Sequence, residues 1–204
     1  KAGNPITQDT KNGKPRYYTY GVPFFNYGFL PQTWEDVNHI DAKSGAKGDG
    51  DPIDVIELGE TPLAIGTIIQ AKILGSLELI DEGETDHKII MIRNTDPHFE
   101  QVNNMADLER FKPGITAKLD DWLISYKTSD GKPLNTLTSN TPTQPSEAAA
   151  VVDQVAGFYN NLVFQPGTNS HGYSLPTKGG GTPSRPSVGS PTDANLKLGD
   201  LGGW

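Results

Sequence analysis

The sequence predicts an α+β domain, mainly β, in which strands come first and helices follow. Two observations carry this. Between Gly48 and Ile92 the apolar residues fall in short alternating runs separated by Gly and acidic turns, the period of half-buried strands. From Asn104 onward they fall in helix-length runs of suitable propensity. Strand and helix blocks that do not alternate argue for α+β rather than a parallel α/β fold. With 204 residues, the chain is long enough for one ordinary core.

In chain order, Ile53 to Leu58 reads as a strand, as does the run through Ile68, Ile69, Ala71, Ile73 and Leu74. After a turn, Ile89 to Ile92 makes a third. Short strands of this kind suggest an antiparallel barrel or sandwich. Helices are expected over Asn104 to Phe111, Ile115 to Ser125 and Ser146 to Leu162, the last carrying Val151, Val152, Val155, Phe158 and Leu162 on an amphipathic pattern. Trp34 and Trp122 read as core or subunit-interface residues. The chain divides into a domain over residues 1–165 and a Gly/Pro/Ser-rich tail over 166–204. Gly and Pro supply eleven of the thirty-one positions from Ser174 to Trp204, too little apolar material for a core of its own. Leu196, Leu198, Leu201 and Trp204 are its candidates for docking on the body.

Composition narrows the function classes. A net charge of −8 gives no general attraction for phosphate backbones or anionic lipid, so neither nucleic acid nor membrane is an expected partner. The absence of cysteine removes disulfides, thiolate nucleophiles and Cys-ligated metals. No apolar run approaches the ~20 residues that span a bilayer. There is no phosphate loop of the Gly-x-x-x-x-Gly-Lys-Ser/Thr kind, no His-Glu-x-x-His and no Gly-x-Ser-x-Gly.

Two acidic clusters remain, Asp49-Gly-Asp-Pro-Ile-Asp54 and Asp81-Glu-Gly-Glu-Thr-Asp86 running into His87-Lys88. Either alone reads more readily as a solvated turn. Both, however, adjoin predicted strands and can bring carboxylates to neighbouring strand ends, where crowding is relieved by hard cations such as Mg²⁺, Mn²⁺ or Ca²⁺. The spacing is not that of an EF-hand, because Asp54 falls where the turn Gly belongs. Arg16, Lys88, Tyr126 and Lys127 are candidate donors to an anion held beside such cations. Strand alternation should turn His87 away from the face shared by Asp86 and Lys88.

The Asp49-Gly-Asp-Pro-Ile-Asp54 stretch, followed by Val55-Ile-Glu57, resembles the signature of the soluble family I inorganic pyrophosphatases. Asn4-Pro-Ile-Thr-Gln-Asp-Thr10, Asn26-Tyr-Gly28, Pro31-Gln-Thr-Trp-Glu-Asp36, Leu79 to Asp86, and Tyr126-Lys127 with Asp130-Gly-Lys-Pro133 resemble the eukaryotic, fungal-type branch, in the same order. The resemblance implies an OB-like five-stranded barrel with flanking helices, and Mg²⁺-dependent hydrolysis of pyrophosphate to two phosphates without a covalent intermediate, with Mn²⁺ as a substitute cation. It places Asp49, Asp54, Asp81 and Asp86 on the metals, Asp51 beside the attacking water as proton acceptor with Tyr27 nearby, and Arg16, Lys88, Tyr126 and Lys127 on the phosphates. It also implies a homodimer and a cytoplasmic location, secretion being the alternative suggested by a start at Lys1.

The same resemblance calls for barrel strands, a phosphate-binding Lys and metal-binding Glu residues ahead of Asn4. They do not occur in these residues: if these residues are the whole molecule an exposed sheet edge is expected, and otherwise the segment either stays bound as a separate fragment or is simply not included in this sequence. A pyrophosphatase-like scaffold reused for structure or assembly is the alternative function. The resemblance further calls for a Tyr four residues before Tyr27, where Pro23 stands.

Overall fold

The structure, a computed structural model, describes residues 8–165 together with Gly172, Tyr173 and Leu175. Eight strands and three helices follow one another: β1 (Thr10–Lys11), β2 (Lys14–Pro15), β3 (Asn26–Phe29), β4 (Lys47–Gly48), β5 (Asp54–Glu57), β6 (Ala71–Asp81), β7 (Glu84–Arg93), α1 (Met105–Phe111), α2 (Ile115–Ser125), β8 (Thr136–Leu137) and α3 (Pro145–Phe164). Strands β1 and β2 form a separate ribbon. The others form one sheet in the order β3-β5-β7-β6-β8, with β4 also on β7.

The centre of this sheet is the long β6–β7 hairpin. Its two-residue turn has Glu82 and Gly83 both at positive φ, 50° and 92°, the conformation whose twist matches the flanking strands. Opposite faces of the sheet then feed two cores. Ile56, Leu77, Leu79, Ile90 and Ile92 pack against α1 and α2 on one side. Val55, Ile89 and Met91 pack against Ala148, Val152 and Val155 of α3 on the other. Trp34 and Trp122 are both buried within the chain, so both serve the core.

The mainly β, strands-then-helices expectation holds, and all three helices lie where their patterns put them. The pairing differs in one respect from an antiparallel barrel or sandwich. Strand β7 is parallel to both β4 and β5, so the sheet is mixed. Five strands run in the path β3-β5-β7-β6-β8 with the two-residue β4 added on β7, and no pairing joins the ends β3 and β8 among the described residues. Ile68 and Ile69 are not in β6, because β7 ends at Arg93 opposite Ala71 and offers them no partner; Ile68 is 81% exposed. Of the tail, Tyr173 sits edge-on to Trp34 with ring centroids 5.7 Å apart. The expected anchors Leu196, Leu198, Leu201 and Trp204 lie outside the described residues, as do Asn4 to Ile6.

Candidate active site

The site begins with an interruption in the sheet. Strand β7 is paired by β4 up to Thr85 and by β5 from Lys88, and between them residues 49–53 leave the ladder. Pro52 has no N–H to give a ladder, and Gly50 takes φ 84°. The loop is tied instead to the segment beneath it, with Gly50 N donating to Glu35 O at 3.0 Å and Glu35 N to Asp51 O at 2.9 Å. Gly48 allows this close approach, since a Cβ there would stand 2.5 Å from the Glu35 carbonyl carbon. Glu35 then fills the gap in the ladder: its Oε1 accepts the His87 N–H at 3.1 Å.

This geometry gathers carboxylates. Oxygens of Glu35, Asp49 and Asp86 lie within 4.8 Å of one another. A groove of about 260 Å³ is lined by Asp49, Asp51, Asp81, Glu82, Glu84, Asp86 and Lys127. Crowding and burial oppose ionisation. The Asp49 carboxyl is pushed up to about 8, by burial first and then by the charge of Glu35, with Asp86 and Asp51 adding to it. Asp86 is raised to about 7, because burial and the charges of Asp54 and Glu35 outweigh the attraction of Lys88.

Lys88 lies under the groove with its side chain 3% exposed. Its ammonium donates to Asp86 Oδ1 and Oδ2 at 2.5 and 2.6 Å, to Tyr27 Oη at 3.0 Å, and to Asp54. The Tyr27 hydroxyl donates to Asp54 as well. Burial would lower the Lys88 pKa, but Asp86, Tyr27 and Asp54 reverse that and hold it well above the usual amine value. At the hairpin end, Tyr126 donates to Asp81 at 3.1 Å, and Lys127 to Asp81 at 2.6 Å and Glu82 at 3.1 Å. Burial, then Asp81, raises the Tyr126 phenol.

A second hollow of about 270 Å³ adjoins the groove, sharing Glu82 and Lys127 and adding Lys11, Arg16, Lys132, Asp9 and Asp130. Arg16 is therefore apart from the carboxylate cluster, ion-paired to Asp130 and Asp9 at 3.0 Å each. Sequence-predicted residues Asp49, Asp51, Asp81, Asp86 and Lys127 line the carboxylate groove, with Asp54, Lys88, Tyr27 and Tyr126 just behind. His87 turns to the face of β7 that carries Ile89 and Met91, with its Nδ1 2.8 Å from Glu35 Oε1. Glu35 was not predicted; it lies in the recognisable Pro31 to Asp36 stretch, but only the long-range ties to loop 49–53 put it among the acids. Tyr18 also went unpredicted. Its ring stands edge-on to Trp122 and Tyr126, at 5.3 and 6.2 Å, whereas Tyr20 reaches towards Asp121. No phenol stands at Pro23.

An acid groove backed by a buried lysine and continued by a cationic hollow defines a class of site, one for divalent cations together with a phosphate-like anion. The comparisons give the particular family: its inorganic pyrophosphatase profile matches residues 5–160, and the chain belongs to that family. An inorganic pyrophosphatase of Drosophila melanogaster is 43% identical over 167 residues, which is 79% of this chain and 49% of that protein. A chloroplastic soluble inorganic pyrophosphatase of Arabidopsis thaliana is 50% identical over 132 residues, covering 64% of this chain and 44% of that one. Among solved structures, an N-terminally truncated Trypanosoma cruzi vacuolar soluble pyrophosphatase in complex with PPi superposes with a TM-score of 0.75 at 38% identity, covering 79% of this chain and 62% of that one. The chain spans about half the length of the first curated relatives it matches.

Proposed function

We propose that this chain carries the catalytic groove of a Mg²⁺-dependent inorganic pyrophosphatase, which hydrolyses pyrophosphate to two phosphates by direct attack of water. One observation carries this reading: crowded, partly buried carboxylates that resist ionisation converge beside a hollow lined by Lys11, Arg16, Lys127 and Lys132. The donors fit a hard divalent cation, being oxygen throughout and held too close to ionise together. Asp49, Asp54, Asp81 and Asp86 would hold the cations, and Glu35 is placed to join them. Divalent ions in such a groove neutralise pyrophosphate and make a bound water acidic enough to react near neutral pH.

The chain's own residues do the rest. Asp51, exposed at the groove, accepts the proton of the attacking water, with the Tyr27 hydroxyl behind it at Asp54. Lys88 and Lys127 now neutralise carboxylates that would be cation ligands. With those carboxylates engaged by cations, both ammonium groups would be free to face phosphate oxygens, where positive charge is worth most as the leaving phosphate gains charge. Arg16 and Tyr126 complete the phosphate contacts. The alternative of a scaffold without turnover is not favoured, since Asp49, Asp51, Asp81, Asp86 and Lys127 share one groove with the cationic hollow beside it. Homodimer formation and a cytoplasmic location follow the family resemblance and are part of this proposal.

The test is phosphate release from pyrophosphate in Mg²⁺ by the intact protein, comparing wild type with Asp51→Asn. Loss of about 10²-fold or more in kcat, with the fold retained by circular dichroism, is the expected result. Equal turnover by the variant would remove Asp51 as proton acceptor, and no turnover by either would remove the hydrolase.

A further inference from the structure

On the opposite face of β7 from the groove, three potential ligands converge: oxygens of Asp41 and Glu78 and a ring nitrogen of His87 lie within 4.8 Å of one another. Glu78 and His87 are cross-strand partners in the β6–β7 hairpin, both 8% exposed, and Asp41 comes from the loop before β4. Each is oriented by its surroundings. His87 Nδ1 lies 2.8 Å from Glu35 Oε1, which orients the ring and leaves Nε2 as the nitrogen turned towards Glu78. Asp41 Oδ1 accepts the Lys43 and Ser44 amides at 2.7 and 3.1 Å, and Ser44 pins this loop to Thr85 of β7 at 2.5 Å.

Glu78 makes the arrangement incomplete. Its Oε2 accepts from Thr138 at 2.9 Å, but Oε1 is buried with no hydrogen-bond donor among the described residues. A buried carboxylate oxygen without a donor is costly and uncommon. It stands 3.9 Å from His87 Nε2, too far for a hydrogen bond. Two ligands of one ion with ~2.1 Å bonds stand roughly 3.4 Å apart, so a small contraction would let one cation satisfy both.

We propose that Asp41, Glu78 and His87 form a second cation site, distinct from the groove, which takes one divalent transition-metal ion of the zinc class. An imidazole nitrogen with two carboxylates favours such an ion over Mg²⁺, which keeps to oxygen and to its own waters. The Glu35 carboxylate behind His87 is the outer partner that metal-bound imidazoles ordinarily have. The bound ion would clip the loop carrying Asp41 to the central hairpin, immediately before the loop that carries Asp49. Burial first, then the hydrogen bond and charge of Asp41, raise the Glu78 carboxyl, and a bound cation would relieve that crowding.

The intact protein, stripped with a chelator and then held in excess Mg²⁺ to fill the all-oxygen groove, is dialysed against dilute Zn²⁺, and bound zinc is measured by mass spectrometry. The expected result is about one Zn²⁺ per chain retained by wild type and by Asp49→Asn, and lost by Glu78→Gln and Asp41→Asn. Asp41 is on a partly exposed loop, so its variant keeps the test open if Glu78→Gln does not fold. No zinc retained by wild type would overturn the site. So would retention by both Glu78→Gln and Asp41→Asn, or loss in Asp49→Asn, which would place the ion in the groove.

Discussion

The groove and the hollow beside it hold the same side-chain chemistry in opposite electrostatic states. In the groove, burial and like charges push Asp49 up to about 8 and Asp86 to about 7. In the hollow, Asp130 is held below the usual carboxylate range by hydrogen bonds from Lys11 and Arg16, and Glu82 by Lys132 and Lys127. The acids are alike, and what differs is access to water and the sign of the nearest charge. The buried wall holds carboxyls that burial and crowding keep from ionising together, even with Lys88 beside them, and a divalent cation would favour their charged form. The exposed wall is self-neutralised and gives up its cations at little cost, as a surface that must exchange partners should.

Lys88 gives the sharpest way to break this contrast, because it is the cation that makes the buried wall tolerable. Lys88→Met leaves Asp54 and Asp86 facing each other with no counter-charge, and a buried charge stripped of its partner costs about 3 kcal/mol or more. The expected outcome is a large fall in the urea midpoint of metal-free protein, with part of it restored by saturating Mg²⁺. A variant as stable as wild type without metal would mean that the wall is not charge-frustrated. A deficit that Mg²⁺ leaves unchanged would mean that Lys88 does not occupy the cation positions.

The next effect is the pH dependence of metal-free stability. Asp49 and Asp86 have folded pKa values near 8 and 7, above the ~3.9 of an unfolded Asp. Between those limits the native state binds more protons than the unfolded state, so this contribution to stability falls as pH rises from about 4 to 8. Unfolding midpoints in chelator should therefore decrease over that window. Saturating Mg²⁺, which binds the ionised carboxylates, should flatten or reverse the slope. A metal-free midpoint that rises towards pH 8 would contradict the strain assigned to this wall.

Much of this contrast can be read along the chain, but not all of it. Loop 49–54 is legible because Gly and Pro surround its aspartates, and the shared face of Asp86 and Lys88 follows from strand alternation, which also turns His87 away. Helix α2 falls on its predicted residues because its apolar spacing and its Gly114 start are both local. The parallel pairing of β5 with β7 has no local signature, since it depends on how loop 58–70 crosses. Glu35 joins Asp49 only through backbone bonds between the two segments, and Arg16 meets its partner Asp130 across 114 positions. A sequence shows which residues can carry charge; which of them are buried together is settled by pairing at a distance.

The smallest expected effect belongs to the exposed wall. Arg16 is 31% exposed at its side chain and shares Asp130 with Lys11, so its removal leaves no buried charge behind. Arg16→Ala should leave the melting temperature close to wild type, in contrast to Lys88→Met. Its cost should appear when substrate is bound: an anion entering the hollow would take the guanidinium from Asp130 and Asp9, and loss of that fork should raise KM for pyrophosphate about tenfold while kcat changes less. An equal loss in kcat with KM unchanged would move Arg16 from binding to transition-state stabilisation. Unchanged kinetics would detach the hollow from the groove and leave its cations as a solvated surface.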